Sequence, residues 1–312
     1  MTQNLAQIKP LVEQSKGERD GDAEGEGQDN CDPRAMLIWA KYLGLRGQYR
    51  QGIKLLRKVL PLVEPVPFSR KYPKDLRLMA AIEPPWIMFS WLTHELIKKG
   101  PDDRSDSKVS IADEGINALR LGASEFQDPG ALMLYAQFVG REESINAYEQ
   151  CISKAATAGD IDACRKLANF YYLISLGKYP RCGTPAAKNA KLDDLEPSLP
   201  LDPGLEDSAS SKSFYQRVLS YFQPRSLEDY RSIAKEWYLV GLRGKSLQSG
   251  LNLARIYQQE GNFGEAEAIL EEVKNQSLHD KRAAKYNGAA ERLIEANLSG
   301  EVSALKIEDL DL

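Results

Sequence analysis

The strongest constraint on the fold is a frame of 13 residues that occurs near both ends of the chain. It reads GQYRQGIKLLRKV over residues 47–59 and GNFGEAEAILEEV over residues 261–273. In both copies a Gly is followed by an aromatic residue, a small residue, a Leu and a Val at steps of two, three, four and three. Steps of three and four place side chains on one helix face. The frame therefore predicts a Gly turn followed by an amphipathic helix, repeated within one chain.

The frame extends upstream into a second helix in both copies. Trp39, Ala40 and Leu43 precede the first copy at the same spacing as Leu253, Ala254 and Tyr257 precede the second. Each copy is therefore predicted to be a helical hairpin whose Gly adopts the left-handed turn conformation. Small residues are expected where the two helices cross closely, and these are Ala40, Gly52, Ala254 and Ala266.

A related pattern lies between these hairpins. Residues 155–171 read AATAGDIDACRKLANFY, in which small residues, a Gly, a Leu and a Tyr recur at hairpin spacing. Residues 234–257 follow the same frame, except that Gly241 and Lys245 replace its usual Ala and Gly. A weaker copy occupies 118–138. Copies of this kind across 34–60, 109–176 and 226–297 make up most of the chain.

These residues resemble the Sel1-like and tetratricopeptide (TPR) repeat superfamily. The resemblance implies an all-α fold, an α-solenoid of antiparallel helical hairpins with about six units. It also implies a non-catalytic scaffold or adaptor that holds peptides or proteins on a concave face. Fold does not dictate function, so the partner has to be argued from the surface.

Breaks in the helical pattern predict the domain organisation. Residues 1–32 are expected to form a short helix and a disordered acidic linker, because 16–32 hold seven acids, two bases and four glycines. Helical repeats then cover 33–177, with an insertion at 61–108. A Pro- and Ser-rich loop spans 178–212, repeats and a capping helix span 213–300, and an acidic tail spans 301–312.

Composition favours an intracellular protein, either cytoplasmic or mitochondrial. Of 312 residues, 42% are hydrophobic and 28% charged, and no run approaches the ~20 apolar residues that a membrane span needs. The N-terminus has neither a signal-peptide layout nor transit-peptide composition. Four cysteines favour a reducing compartment. Cys151 and Cys164 flank the turn at Gly159, which makes a disulfide between them the alternative. Buried thiols are the preferred interpretation.

The sequence offers no constellation for catalysis. Only two histidines are present, His94 and His279, and both suit ordinary helix surroundings. Metalloprotease, P-loop and dinucleotide-binding motifs are absent from the chain. We therefore expect no enzyme activity, no catalytic residue, no cofactor, no metal and no small-molecule substrate.

Charge is the one feature that indicates a partner. Residues 34–77 carry eleven bases and two acids, although the whole chain has a net charge of −4. Spacing places Arg50, Lys54, Arg57 and Lys58 on one helical face, and Arg46 and Lys41 are added as nearby candidates. We call these six residues the basic face.

Three interpretations of the basic face remain open. The first is a solvated helix surface, the second a site for an acidic segment of a protein partner, and the third an RNA contact. The functional hypothesis is an adaptor or assembly factor that prefers an acidic partner. An RNA-associated helical-repeat protein is the alternative.

Overall fold

The computed structural model describes residues 33–62, 84–99, 105–194, 225–278 and 283–299, together with Leu305 and Leu310. The predictions for residues 1–32 and for His279 lie outside these residues, as does most of the acidic tail. The helices of the described ranges are α1 Pro33–Leu45, α2 Tyr49–Val59, α3 Pro85–Lys99, α4 Ser105–Ser124, α5 Pro129–Glu142, α6 Ile145–Thr157, α7 Ile161–Ser175, α8 Pro185–Asn189, α9 Leu227–Arg243, α10 Leu247–Gln259, α11 Phe263–Ser277 and α12 Ala284–Ser299. A 3₁₀ turn, Leu60–Leu62, follows α2.

The fold is all-α, as predicted, and these ranges contain no strand. The chain divides into two units, Met1–Tyr135 and Ala136–Leu312. In the first unit α1 packs on α2, α2 on α3 and α3 on α4. In the second unit α6 packs on α7, α7 on α9, and each helix from α9 to α12 on the next. Helices adjacent in the chain therefore pack together in a repeat-like manner within each unit.

The predicted Gly turns adopt the left-handed conformation. Gly47, Gly159 and Gly261 have φ of +77°, +96° and +76°. After each Gly, the next amide donates to a carbonyl five residues back, as Gln48 does to Leu43 at 2.8 Å and Asn262 to Tyr257 at 2.9 Å. This bond is typical of a helix end closed by a left-handed residue, so one turn geometry is used again and again.

The small residues predicted at helix crossings are buried. Ala40, Ala254 and Ala266 are fully buried. A Cβ built on Gly52 would lie 2.8 Å from Cδ1 of Leu92 on α3 and 3.2 Å from the Ala40 carbonyl oxygen. The helix α3 lies inside 61–108, the segment assigned to an insertion, and it packs against both helices of the first hairpin.

Buried polar groups join α7, α9 and α10 in the second unit. The Tyr238 hydroxyl donates to Oδ1 of Asn169 at 2.6 Å, and Nδ2 of Asn252 donates to the same oxygen at 3.4 Å. All three side chains are fully buried. Because buried polar groups are costly unless they are hydrogen-bonded, this arrangement holds the three helices in one register.

Part of the Pro- and Ser-rich loop is ordered against α5 and α6. The Tyr179 hydroxyl donates to the Leu192 carbonyl at 2.6 Å, and the Ile145 amide donates to the Ala190 carbonyl at 2.9 Å. Leu192 covers Gly140 so closely that a Cβ there would lie 2.5 Å from its Cδ1. Residues 178–194 therefore pack on the second unit, and the short helix α8 lies within them.

Candidate functional site

The basic face is built on α2. Arg50, Lys54, Arg57 and Lys58 are exposed. On the opposite side of the same helix, Ile53, Leu56 and Val59 are buried, as is Gly52. Because core contacts fix the rotation of α2 about its axis, its charged row points to solvent.

Arg57 of the basic face is held in an ion pair. The Nε and Nη2 groups of Arg57 donate to the two carboxylate oxygens of Glu114 on α4, both at 2.9 Å. The side chains are 53% and 35% exposed, so the pair is a surface interaction of modest energy. Its two parallel bonds still fix the guanidinium in place and offset its charge.

Aromatic rings organise the start of the basic face. The Arg46 guanidinium lies 6.0 Å from the centroid of the Tyr42 ring, and that ring stacks on Trp39 at 5.2 Å. Lys41 is half-buried. These rings are therefore already engaged within the first hairpin.

The structure adds a cation that the sequence did not assign to this surface. Lys99, in the last turn of α3, donates to the Tyr49 hydroxyl at 3.0 Å and lies 5.5 Å from the centroid of that ring. Its hydrogen bonds to Glu95 and then to Tyr49 raise the pKa of its ammonium group. Lys99 is far from α2 in sequence, so local charge counting could not have placed it beside Tyr49.

The histidine and cysteine side chains are the remaining candidates for catalysis or metal binding. His94 is exposed on α3. Cys151, Cys164 and Cys182 are free thiols, and burial raises the pKa of each. The Cys164 thiol donates to the Ala156 carbonyl at 3.7 Å, so the alternative disulfide is not formed. Across the described ranges, no three His, Cys, Asp or Glu side chains are grouped to hold a metal ion.

A second cluster of cations lies in the other unit and was missed from the sequence. A cavity of about 890 Å³ is lined by basic side chains from four separate elements, which are Arg165, Lys245, Arg255 and Lys285. We call this cavity the basic groove. Its cations are spread over more than a hundred residues of sequence and form no local charge run. Its one sequence signal was Lys245 at a position where the repeat pattern expects Gly.

No helix in the described part of the chain combines the length and the apolar character needed to cross a bilayer. The chain matches no family model, no curated protein and no solved structure. The likeness to Sel1-like and TPR repeats therefore rests on residue spacing alone.

Proposed function

We propose that the chain is a non-catalytic helical-repeat protein of the Sel1-like or TPR type. It acts as an adaptor or assembly factor and binds an acidic segment of a protein partner through the basic face. The observation that carries this proposal is the orientation of α2, whose apolar row is buried while its row of cations is exposed.

Charge attraction explains how such a surface would work. An exposed row of cations raises the local concentration of an acidic partner and speeds its association. Arg50 and Lys54 lie one helical turn apart, which suits carboxylates on an extended or helical segment. The Arg57–Glu114 pair lies beside them and reduces the positive charge at one end of the row.

RNA is the alternative occupant of this surface. The excess of bases over residues 34–77 favours RNA. Single-stranded RNA also needs aromatic rings on which bases can stack. Here Trp39 stacks on Tyr42, and Tyr49 contacts Lys99. Because these rings already have partners, an acidic protein segment is the better fit.

Binding of a synthetic Glu–Ser peptide to the full chain tests the proposal, with fluorescence anisotropy as the readout. The double substitution Arg50→Gln/Lys54→Gln should weaken binding on the order of fivefold, because two exposed charges are removed. The double substitution Lys154→Gln/Lys188→Gln is the matched control. It removes two exposed cations from α6 and α8 and should leave affinity unchanged.

Two results would count against the proposal. Equal effects of the two double variants would show that only net charge matters. Tight, salt-sensitive binding of an oligouridylate that is lost in Arg50→Gln/Lys54→Gln, without peptide binding, would establish the RNA alternative instead.

A further inference from the structure

The basic groove is assembled from three helices and a turn of the second unit. Ile161 and Arg165 lie in the first turns of α7, and Lys245 lies in the turn between α9 and α10. Along α10, Leu247, Leu251 and Arg255 follow one another at steps of four, so they share one face. The first turns of α12 close the groove.

The charge lining the groove is strongly positive. Among the described residues that line it, four are basic and one, Asp162, is acidic. Asp162 lies 3.9 Å from Nη2 of Arg165 and is itself 70% exposed, so it offsets little of the positive charge. Nζ of Lys285 lies 4.8 Å from the centroid of the Tyr286 ring, and both residues line the groove. Basic residues from four elements that line one cavity create a potential that attracts carboxylates.

The turn at the rim of the groove presents a lysine in an unusual conformation. Lys245 has φ of +72°, close to the values of Gly47 and Gly261 in the corresponding turns. The amide of Ser246 donates to the Gly241 carbonyl at 2.9 Å, so the turn has the same hydrogen bond as the glycine turns. The neighbouring Gly244 packs on α7, since a Cβ there would lie 2.9 Å from Cγ1 of Ile161. A cation therefore stands at the rim where the repeat would carry no side chain.

The remaining lining is mainly aliphatic. Leu247 and Leu251 are buried beneath the groove, while Ile161 is 41% exposed at its edge. Ala283 and Ala289 continue this surface on the α12 side. Among the described lining residues, Tyr286 is the one aromatic, so the groove lacks a stacking platform for bases. The lining therefore matches a ligand that carries both carboxylates and aliphatic side chains.

We propose that the basic groove binds an acidic peptide segment of a partner protein, in which carboxylates flank aliphatic side chains. The carboxylates would pair with the exposed Lys245 and Lys285, and the aliphatic groups would lie on Leu247 and Ile161. A cavity of about 890 Å³ accommodates a few residues of such a segment. This site goes beyond the function proposed for α2, since it lies in the other unit and does not depend on the basic face.

The test uses the full chain and a synthetic Glu–Leu peptide. The double substitution Lys245→Gly/Lys285→Gln removes two exposed cations of the groove, and Gly suits the backbone of residue 245. Affinity should fall about tenfold. Both Arg50→Gln/Lys54→Gln and Lys154→Gln/Lys188→Gln should change it by less than about twofold, although they remove the same charge.

A second variant tests the aliphatic part of the proposal. Ile161→Ser should weaken the Glu–Leu peptide by severalfold and leave a Glu–Ser peptide unaffected, because it removes apolar lining and no charge. This readout separates a built site from general attraction between opposite charges.

Each contrary outcome is specific. If the groove double variant binds the Glu–Leu peptide as the unmodified chain does, the inference fails. If it weakens binding no more than the Lys154 and Lys188 control, it fails as well. Loss of binding in the groove variant alone shows that the peptide binds in the groove and excludes α2 as its site. Loss of binding in the Arg50 and Lys54 variant alone shows the reverse.

Discussion

Lys245 shows at the level of one residue that the turn keeps its geometry when Lys replaces the Gly of the repeat pattern. Three hairpin turns use Gly47, Gly159 and Gly261, all with positive φ. In the turn between α9 and α10, Lys245 takes the same conformation, which costs an L-residue roughly 1–2 kcal/mol. The hydrogen bond from Ser246 to Gly241 and the packing of Gly244 on Ile161 hold it there. The helices on either side therefore determine the turn, and Lys245 adopts the conformation they require.

Reciprocal substitutions at two equivalent turns test this account. Lys245→Gly should raise the free energy of unfolding by about 0.5–1 kcal/mol, because it relieves an unfavourable backbone conformation. Gly261→Lys should lower it by about 1 kcal/mol; nothing lies within 4 Å of a Cβ at Gly261, so backbone conformation alone would act. Urea denaturation followed by far-UV circular dichroism measures both. Changes of the same sign in the two variants would contradict the account.

Residue-scale expectations from the sequence held where one position has one physical requirement. Gly47 and Gly261 were predicted as left-handed turn residues and have positive φ, and Ala40, Gly52, Ala254 and Ala266, predicted at helix crossings, are buried. Each of these roles is dictated by a local frame of three- and four-residue steps. Lys245 departed from that frame, and the sequence could show the departure without showing that the turn would keep its geometry.

At the scale of helices, the crossing of α10 and α11 depends on a missing side chain. A Cβ built on Gly250 would clash with Cγ2 of Val273 and would lie 2.9 Å from Cδ1 of Leu242. Val273 and Leu242 are both buried in the core formed by α9 to α12. These side chains cannot move aside easily, because a dense core surrounds them.

We therefore expect opposite effects from alanine at two helical glycines of the second unit. Gly250→Ala should destabilise the chain by about 1–2 kcal/mol, since overpacking outweighs the better helix propensity. Gly288→Ala in α12 should stabilise it by about 0.5–1 kcal/mol, because nothing lies within 4 Å of the added Cβ. Thermal unfolding of the two variants compares them directly. A stabilised Gly250→Ala variant would show that α10 and α11 are not closely packed.

Element-scale packing also explains why parts of the surface could not be predicted. The hairpins α1–α2 and α10–α11 follow directly from repeated local spacing. The position of α3 does not, because Leu92 of α3 packs on Gly52 and on Gly44, which lie 40 and 48 positions earlier in the chain. The basic groove is harder still, since its cations come from α7, the α9–α10 turn, α10 and α12. A charge cluster built by tertiary packing leaves no run of charge in the sequence.

For the molecule as a whole, the net negative charge gives no sign of the local clusters of positive charge on its surface. The chain carries 41 basic and 45 acidic residues, which alone would argue against an acidic partner. Clusters of cations nevertheless lie on α2 in one unit and around the groove in the other. At physiological ionic strength charges beyond about 8 Å are largely screened, so an approaching segment responds to these local clusters. Two separate basic surfaces are therefore compatible with a chain of net negative charge.

Buried thiols and phenols of the second unit should make the folded chain less stable at alkaline pH. Burial raises the pKa of Cys164 from its ordinary value of 9.0 to about 11. Burial likewise raises the pKa values of Cys182, Tyr171, Tyr179 and Tyr230. The unfolded chain loses these protons at lower pH than the folded chain does. Their contribution to stability is therefore complete below the ordinary pKa and declines as pH rises through the window above it.

The chain should accordingly lose stability above pH about 9 through the thiols and above pH about 10 through the phenols, by up to about 1.4 kcal/mol per pH unit for each group. Urea midpoints measured at pH about 8 and about 10 test this expectation. Cys164→Ala is the informative variant. It should be less stable than the unmodified chain at pH 8, because it leaves a small cavity, yet it should lose less on going to pH 10, because one titrating group is gone. An identical loss in both proteins would show that the Cys164 thiol is as accessible to deprotonation in the folded chain as in the unfolded one.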